Sequence, residues 1–320
     1  MAGVMADRIP GGIIVDCDPG VDDAIALLLA FGLGLPIRGI TTVAGNVSLN
    51  LTAKNARKIC ALAGKSDTPV YAGCPRPLLR PLTDAADIHG KTGLQGADLP
   101  EPTVPLQPLH SVDYLSQTLM TAEEPVTIAA LGPLTNLAIA LVQRPALARN
   151  VKQLVIMGGS IGQGNITPSA EFNMYVDPHA AQIVFATDIP IVLITLDTTH
   201  QVLTTPERLE AIRAIGNPVS DAAAGMLSFY GQIDLDRHNL PGAPLHDPCV
   251  MAYLLAPELF TTQRVQVDIE TSGEHTVGRT VIDWRDGGHG SAEDSTVQIV
   301  DSVDVDGFYK LLNRSLSNFS

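Results

Sequence analysis

One stretch constrains this chain more than any other: Ile13-Ile14-Val15-Asp16-Cys17-Asp18-Pro19-Gly20-Val21-Asp22-Asp23-Ala24-Ile25-Ala26-Leu27-Leu28-Leu29. An apolar run, a turn carrying Pro-Gly, and a second, longer apolar run read as a buried strand, a turn and a buried helix. Four carboxylates fall within eight residues at the point where the strand ends and the helix begins. In open α/β sheets that edge is where ligands bind. Helix capping accounts for Asp22 or Asp23, since an acid in the first helical turn contributes roughly 0.3–1 kcal/mol. It leaves Asp16 and Asp18 unexplained. Four like charges so close repel one another, and in a partly dry site the repulsion outweighs capping. A hard divalent cation, which takes carboxylate and carbonyl oxygens, resolves the conflict.

The same alternation continues downstream. Strands are expected at 37–43, around 70–71, at 126–130, 153–157 and 191–195. Helices are expected at 49–63, 111–121, 134–143 and 178–186. Alternating units of this kind argue for an open, mainly parallel, Rossmann-like sheet flanked by helices. Residues 205–215 and 218–236 read as helices, and another runs from His246-Asp247-Pro248 to residue 255. Residues 262–302 read as strands in a more antiparallel style, with a turn at Gly287-Gly288-His289-Gly290, and a closing helix starts near residue 305. With 320 residues, 45% hydrophobic, the chain is expected to form a single domain over 1–320.

Charge and cysteine usage exclude several classes. A net charge of −14 disfavours a phosphate backbone as partner, so nucleic acid is not expected. Cys17, Cys60, Cys74 and Cys249 include no Cys-x-x-Cys pair and no disulfide framework. No apolar run approaches the length of a membrane span, and no signal peptide is evident, so a cytoplasmic protein that does not enter the membrane is expected. The glycines of 158–164 miss the dinucleotide spacing, and there is no Walker loop. The absence of a Lys/Arg cluster near the acidic turn favours a neutral, hydroxyl-rich substrate over a phosphorylated one.

Several polar positions share one address, just past a strand end: Asp18, Asp22 and Asp23, then Asn46, the Leu131 carbonyl and Met157. Taken alone, Asn46 reads equally well as a helix cap and Met157 as core. The loop from Gly164 to Asn173 offers Asn165, Glu171 and Asn173, suited to gripping hydroxyls or simply to facing solvent. His246-Asp247 pairs a possible proton donor with a possible further metal ligand.

Together these segments resemble the calcium-dependent nucleoside hydrolases of the inosine-uridine preferring family. The resemblance rests on the run from Asp16 to Ala24, Val43-Ala44-Gly45-Asn46, His89-Gly90-Lys91-Thr92-Gly93-Leu94, Leu131-Gly132-Pro133-Leu134-Thr135-Asn136, Met157-Gly158-Gly159, Glu171-Phe172-Asn173 and His246-Asp247-Pro248. It implies cleavage of the N-glycosidic bond of inosine-, uridine- or cytidine-type ribonucleosides. Asp18, Asp23, Asp247 and the Leu131 carbonyl would bind Ca2+, with Asp18 also accepting a proton from the attacking water. The family often carries Thr where Leu131 stands, a change that a main-chain ligand tolerates. Asp22, Asn46, Asn165, Glu171, Asn173 and Asp247 would contact the substrate, with Met157 against the sugar. His246 would protonate the leaving base, and His89 would lie in a mobile loop over the pocket. Asp16 is left as support for the others. The loops at 73–109 and 222–245 would close over the site, and Phe229, Tyr230, Gln232, Asp236, His238 and Asn239 are candidates to contact the base. The resemblance also implies a homotetramer.

Two competing readings share some of these features. Asp16-x-Asp18 after an apolar strand is similar to the nucleophile pair of haloacid-dehalogenase-like phosphatases, but Gly20 stands where those enzymes expect Thr or Val, and Asp22-Asp23 is unexplained. A metal-dependent nucleoside binder without turnover would use the same acids and leave His246 without a task.

Overall fold

A computed structural model describes residues 9–238, 242–285 and 295–319 of the chain. Its centre is an eight-stranded sheet in the order β3-β2-β1-β4-β5-β6-β12-β9. The strands are β1 (Ile13–Cys17), β2 (Ile37–Thr42), β3 (Val70–Ala72), β4 (Val126–Ala130), β5 (Val151–Met157), β6 (Ile191–Ile194), β9 (Phe260–Arg264) and β12 (Val297–Val303). Every neighbouring pair is parallel except β12 with β9. The chain winds outward from β1 to β3, then returns to place β4 against the other side of β1. The strand order therefore reverses between β1 and β4, and a crevice opens there at the carboxyl ends of both strands.

Both faces of the sheet are buried, as parallel sheets require. Ile13, Val15 and Cys17 of β1 join one apolar cluster, and Ile14 joins the other. The helix Val21–Gly32 is apolar all round because it is covered all round. It packs against the helices Pro248–Leu255, Val305–Leu316 and Pro218–His238. Ser315 Oγ donates to the carbonyls of Leu28 and Leu29 at 3.2 and 3.0 Å, tying the last helix to the first.

The expected strands and helices are present with small shifts at their ends, and the C-terminal region is more integrated than its antiparallel style implies. β12 enters the main sheet parallel to β6 and only then pairs antiparallel with β9. The strands β10 (Gln266–Ile269) and β11 (Thr280–Asp283) form a separate antiparallel pair, as do β7 (Leu203–Thr204) and β8 (Ala243–Pro244). Residues 218–236, expected as a helix, form the 21-residue helix Pro218–His238, so much of the 222–245 segment expected to close over the site is helical. The long 73–109 segment contains one helical turn, Ala86–His89. The expected turn at Gly287-Gly288-His289-Gly290 lies outside the described residues, as does Asn239.

Candidate active site

The acidic turn leaves β1 at the crevice. Gly20 is the residue before the helix Val21–Gly32, and the Asp23 carboxylate reaches back to accept from Gly20 N at 2.9 Å and Asp18 N at 3.2 Å. Asp23 thus does cap its helix, and it does more: Asn46 Nδ2 also donates to Asp23 Oδ2 at 3.1 Å. Asn46 N donates to Asp18 Oδ2 at 2.6 Å, while Asp18 Oδ1 is buried with no hydrogen-bond partner. The turn after β2 is therefore bound to the turn after β1 through Asn46, from both its backbone and its side chain.

Asp16 faces the other way. One residue along a strand reverses the side-chain direction, which puts Asp16 on the face of Ile14. There its Oδ1 accepts from Thr41 Oγ1 on β2 and from Asn136 Nδ2 at 2.8 Å. Asn136 also receives Cys74 N at 2.9 Å and donates to the Thr42 carbonyl at 3.1 Å. Burial lifts the Asp16 carboxyl to about 6, against the pull of those two donors. Asp16 joins strand ends beneath the site and does not line it.

Three carboxylates converge: one oxygen each from Asp22, Asp23 and Asp247 lie within 4.8 Å of one another, all buried. Asp247 arrives from the far end of the chain, at the start of the helix Pro248–Leu255. Burial, then the Asp22 charge, pushes the Asp23 carboxyl up to about 8. Burial also raises Asp247 and Asp18, each with help from neighbouring carboxylates. Such groups are costly to ionise together unless a cation sits among them. Asp22 Oδ1 and Asp18 Oδ1 are both buried without a partner. An all-oxygen donor set with two orphaned carboxylate oxygens fits a hard divalent cation. Asp18 lies outside the converging trio, turned toward Asn46. The Leu131 carbonyl follows β4, and Asn173 Nδ2 donates to it at 2.8 Å, which leaves its second lone pair for another partner.

Above the carboxylates lies a cavity of about 130 Å³. Asp22, Asn46, Met157, Asn165, Glu171 and Asn173 line it, together with the Leu131, His89, His246 and Asp247 positions. Asp18 and Asp23 sit beneath its wall. Unlike the other expected metal ligands and ribose contacts, these two do not line the cavity, but they stand in direct contact with Asn46, which does.

The 158–173 loop is built around its own polar groups. Glu171 caps the helix Phe172–Val176, accepting from Asn173 N at 2.8 Å and Met174 N at 3.1 Å, and also takes Gly159 N at 2.9 Å. Burial nonetheless raises its carboxyl to about 7. Asn165 Oδ1 accepts from Phe172 N at 2.9 Å, and Asn173 Nδ2 also reaches the Met157 carbonyl at 3.2 Å. These bonds fix the loop with part of each side chain still directed at the cavity.

Two histidines flank the cavity. His89 Nδ1 accepts from Val21 N at 3.2 Å and lies 3.9 Å from Asp22 Oδ1. Its ring stacks on Tyr230, centroids 5.4 Å apart. His89 thus belongs to a packed helical turn. His246 is buried, and burial pushes its imidazole down to about 4. Among the expected base contacts, Tyr230 lines the cavity, while Gln232 is exposed and Phe229 packs by Gly96.

The rim also carries Phe172 of the Glu171-Phe172-Asn173 motif, together with Asp84, Asp87 and Ile88, which the sequence did not single out. In so acidic a chain two more aspartates in a Pro/Gly-rich segment give no signal; only their closeness to His89 sets them apart.

Residues 13–310 match the inosine-uridine preferring nucleoside hydrolase family. The chain belongs to this family. The hydrolase is 46% identical over 311 residues to the pyrimidine-specific ribonucleoside hydrolase RihA of Shewanella woodyi, with 96% of this chain and 98% of that protein covered. It is 46% identical over 310 residues to the enzyme of the same name from Escherichia coli, with coverage of 96% and 99%. Its fold matches the purine-preferring ribonucleoside hydrolase of Gardnerella vaginalis with a TM-score of 0.88 at 29% identity, covering 95% of this chain and 98% of that one. The hydrolase acts on ribonucleosides, and its acidic trio is a site that could hold a metal. No helix among the described residues is long and apolar enough to cross a membrane.

Proposed function

We propose that this hydrolase cleaves pyrimidine ribonucleosides, uridine and cytidine, to free base and ribose, with calcium as its metal. The observation that carries the proposal is the trio Asp22, Asp23 and Asp247 beneath a cavity edged by amides, Glu171 and His246. Pyrimidine preference is supported by the two relatives that share 46% of its residues.

Asp18, Asp23, Asp247 and the Leu131 carbonyl would hold the ion, and the convergence of Asp22 on Asp23 and Asp247 would bring its carboxylate close as well. A bound calcium supplies Lewis acidity, which makes water easier to deprotonate and fixes neighbouring hydroxyl oxygens. Asp22, Asn46, Asn165, Glu171 and Asn173 grip the ribose hydroxyls, and Met157 packs against the sugar. Asp18 accepts a proton from the water that attacks C1′. As the C1′–N bond breaks, its electron pair leaves with the base, and a His246 imidazolium, disfavoured by burial but favoured by the Asp22 charge, gives up the proton that neutralises the base and becomes neutral imidazole. General acid help of this kind contributes typically 10²–10⁴-fold. His89, held on Tyr230, closes one side of the cavity against water. The assembly is a cytoplasmic homotetramer of single-domain chains.

A nucleoside panel tests this reading. Uridine, cytidine, inosine and adenosine are incubated with pure protein, with and without chelator, and released reducing sugar is measured. Uridine and cytidine are expected to turn over fastest, with loss of nearly all activity in chelator and recovery on adding calcium. Absence of release from every pyrimidine nucleoside would sink the substrate assignment, and chelator-insensitive turnover would remove the metal.

A further inference from the structure

β6 runs out into Thr195-Leu196-Asp197-Thr198-Thr199-His200, a polar segment with no part in the roles above. Three of its side chains each hold a different element. Asp197 accepts from Ile161 N at 2.6 Å, bracing the 158–173 loop. Thr198 Oγ1 donates to the Val300 carbonyl of β12 at 2.6 Å. Thr199 Oγ1 lies 2.7 Å from His246 Nδ1, and both residues are buried.

The juxtaposition is built into the backbone. Thr199 precedes β7 and His246 follows β8, and these two strands pair antiparallel, Leu203 with Pro244 and Thr204 with Ala243. Leu245 N continues the ribbon by donating to the Val202 carbonyl at 2.9 Å. The ribbon therefore sets the hydroxyl against the ring. Thr199 Oγ1 also donates to the Leu196 carbonyl at 3.4 Å, which leaves the hydroxyl oxygen to accept from His246 Nδ1. His200 crosses the same ring at 5.7 Å, 60° between planes, limiting where it can swing.

An imidazole turned by 180° about its last side-chain bond exchanges nitrogen for carbon at both positions. With Nδ1 held by Thr199, Nε2 is the nitrogen left for the cavity. A flipped ring would lose the Thr199 bond and present a C–H to the leaving base.

We propose that Thr199 is a positioning residue for base departure: it fixes the His246 ring so that Nε2 faces the base. The inference rests on reading His246 as the proton donor, and the experiment separates the two. Thr199→Val replaces the hydroxyl by a methyl, which cannot hold Nδ1 and leaves no room for a water to do so. Thr199→Ser keeps the hydroxyl. Thr198→Val loosens the same segment without touching His246. Each is assayed with uridine, whose base must gain a proton, and with 4-nitrophenyl riboside, whose leaving group needs none, beside His246→Ala.

Thr199→Val is expected to lower kcat for uridine by about 10- to 100-fold, with the nitrophenyl riboside changed by less than about threefold. Thr199→Ser should restore uridine turnover, and Thr198→Val should affect both substrates alike. Equal losses on both substrates in Thr199→Val, or none, overturn the positioning role while a selective His246→Ala leaves the donor reading standing. Equal losses in His246→Ala overturn both. Failure of Thr199→Ser to restore uridine turnover also overturns the inference.

Discussion

Asp18 is confined by glycine. A side chain added at Gly45 would run into Asp18 Oδ2, and one added at Gly132 would run into Asp18 Oδ1. At Gly20 an added Cβ would come 2.6 Å from His89 Nδ1 and 2.8 Å from Asn46 Nδ2. These three glycines follow β1, β2 and β4 and let three turns close around the carboxylates. Gly132 has no positive φ among the described glycines, so its requirement is for space and not for backbone freedom. Gly132→Ala is accordingly expected to leave folding nearly intact while lowering kcat/KM for uridine by about 100-fold, through a displaced Asp18 carboxylate. Steady-state rates beside a thermal melt check this; full activity would show that Asp18 has slack that the packing denies.

At the scale of elements, the bond network around Asp16 joins β1, β2 and the helix Thr135–Gln143. Asn136→Ala would strand Asp16 Oδ1 with one donor and leave Cys74 N without its acceptor. Each unsatisfied buried group costs about 1–3 kcal/mol, so the unfolding free energy should fall by about 2–4 kcal/mol in urea titration. A loss below about 0.5 kcal/mol would deny Asp16 its bracing role. Much of this architecture was legible in the sequence because the periodic apolar runs and Gly/Pro turns report local structure directly. The positions just past strand ends were legible for the same reason. What local pattern could not report is which strands become neighbours. β12 pairs with β6 across more than a hundred residues of sequence, and Asp84 and Asp87 reach the cavity only through the path of a long loop. Likewise Asp22 converges with Asp23 and Asp247 because of side-chain direction at the helix start, whereas spacing alone gave no reason to prefer it to Asp18 as a neighbour of that pair. The helix Pro218–His238 was legible despite its weakly amphipathic sequence, but its packing on the helix Val21–Gly32 was not.

Across the whole molecule, stability and metal are linked. Buried carboxylates that repel in the folded chain are free of one another once it unfolds, so a cation that binds only the folded form raises stability by RT ln(1 + [L]/Kd). At calcium a hundredfold above its Kd the gain is about 2.7 kcal/mol, which for a chain of this size lifts Tm by several degrees. Melting curves in chelator and in calcium should differ by that amount, and the difference should vanish in Asp247→Ala. An unchanged Tm would mean that the trio holds no such ion.

The strand order has one more consequence, in time. The acidic turn is made before its partners, since Leu131 and Asp247 stand far downstream of it and the helix Val305–Leu316 covers the helix that it opens. Throughout most of synthesis the carboxylates therefore have neither a roof nor a third member. The site is therefore roofed only once the helix Val305–Leu316 docks onto the helix Val21–Gly32, and a chain cut short before Asp247 would lack the third carboxylate of the trio.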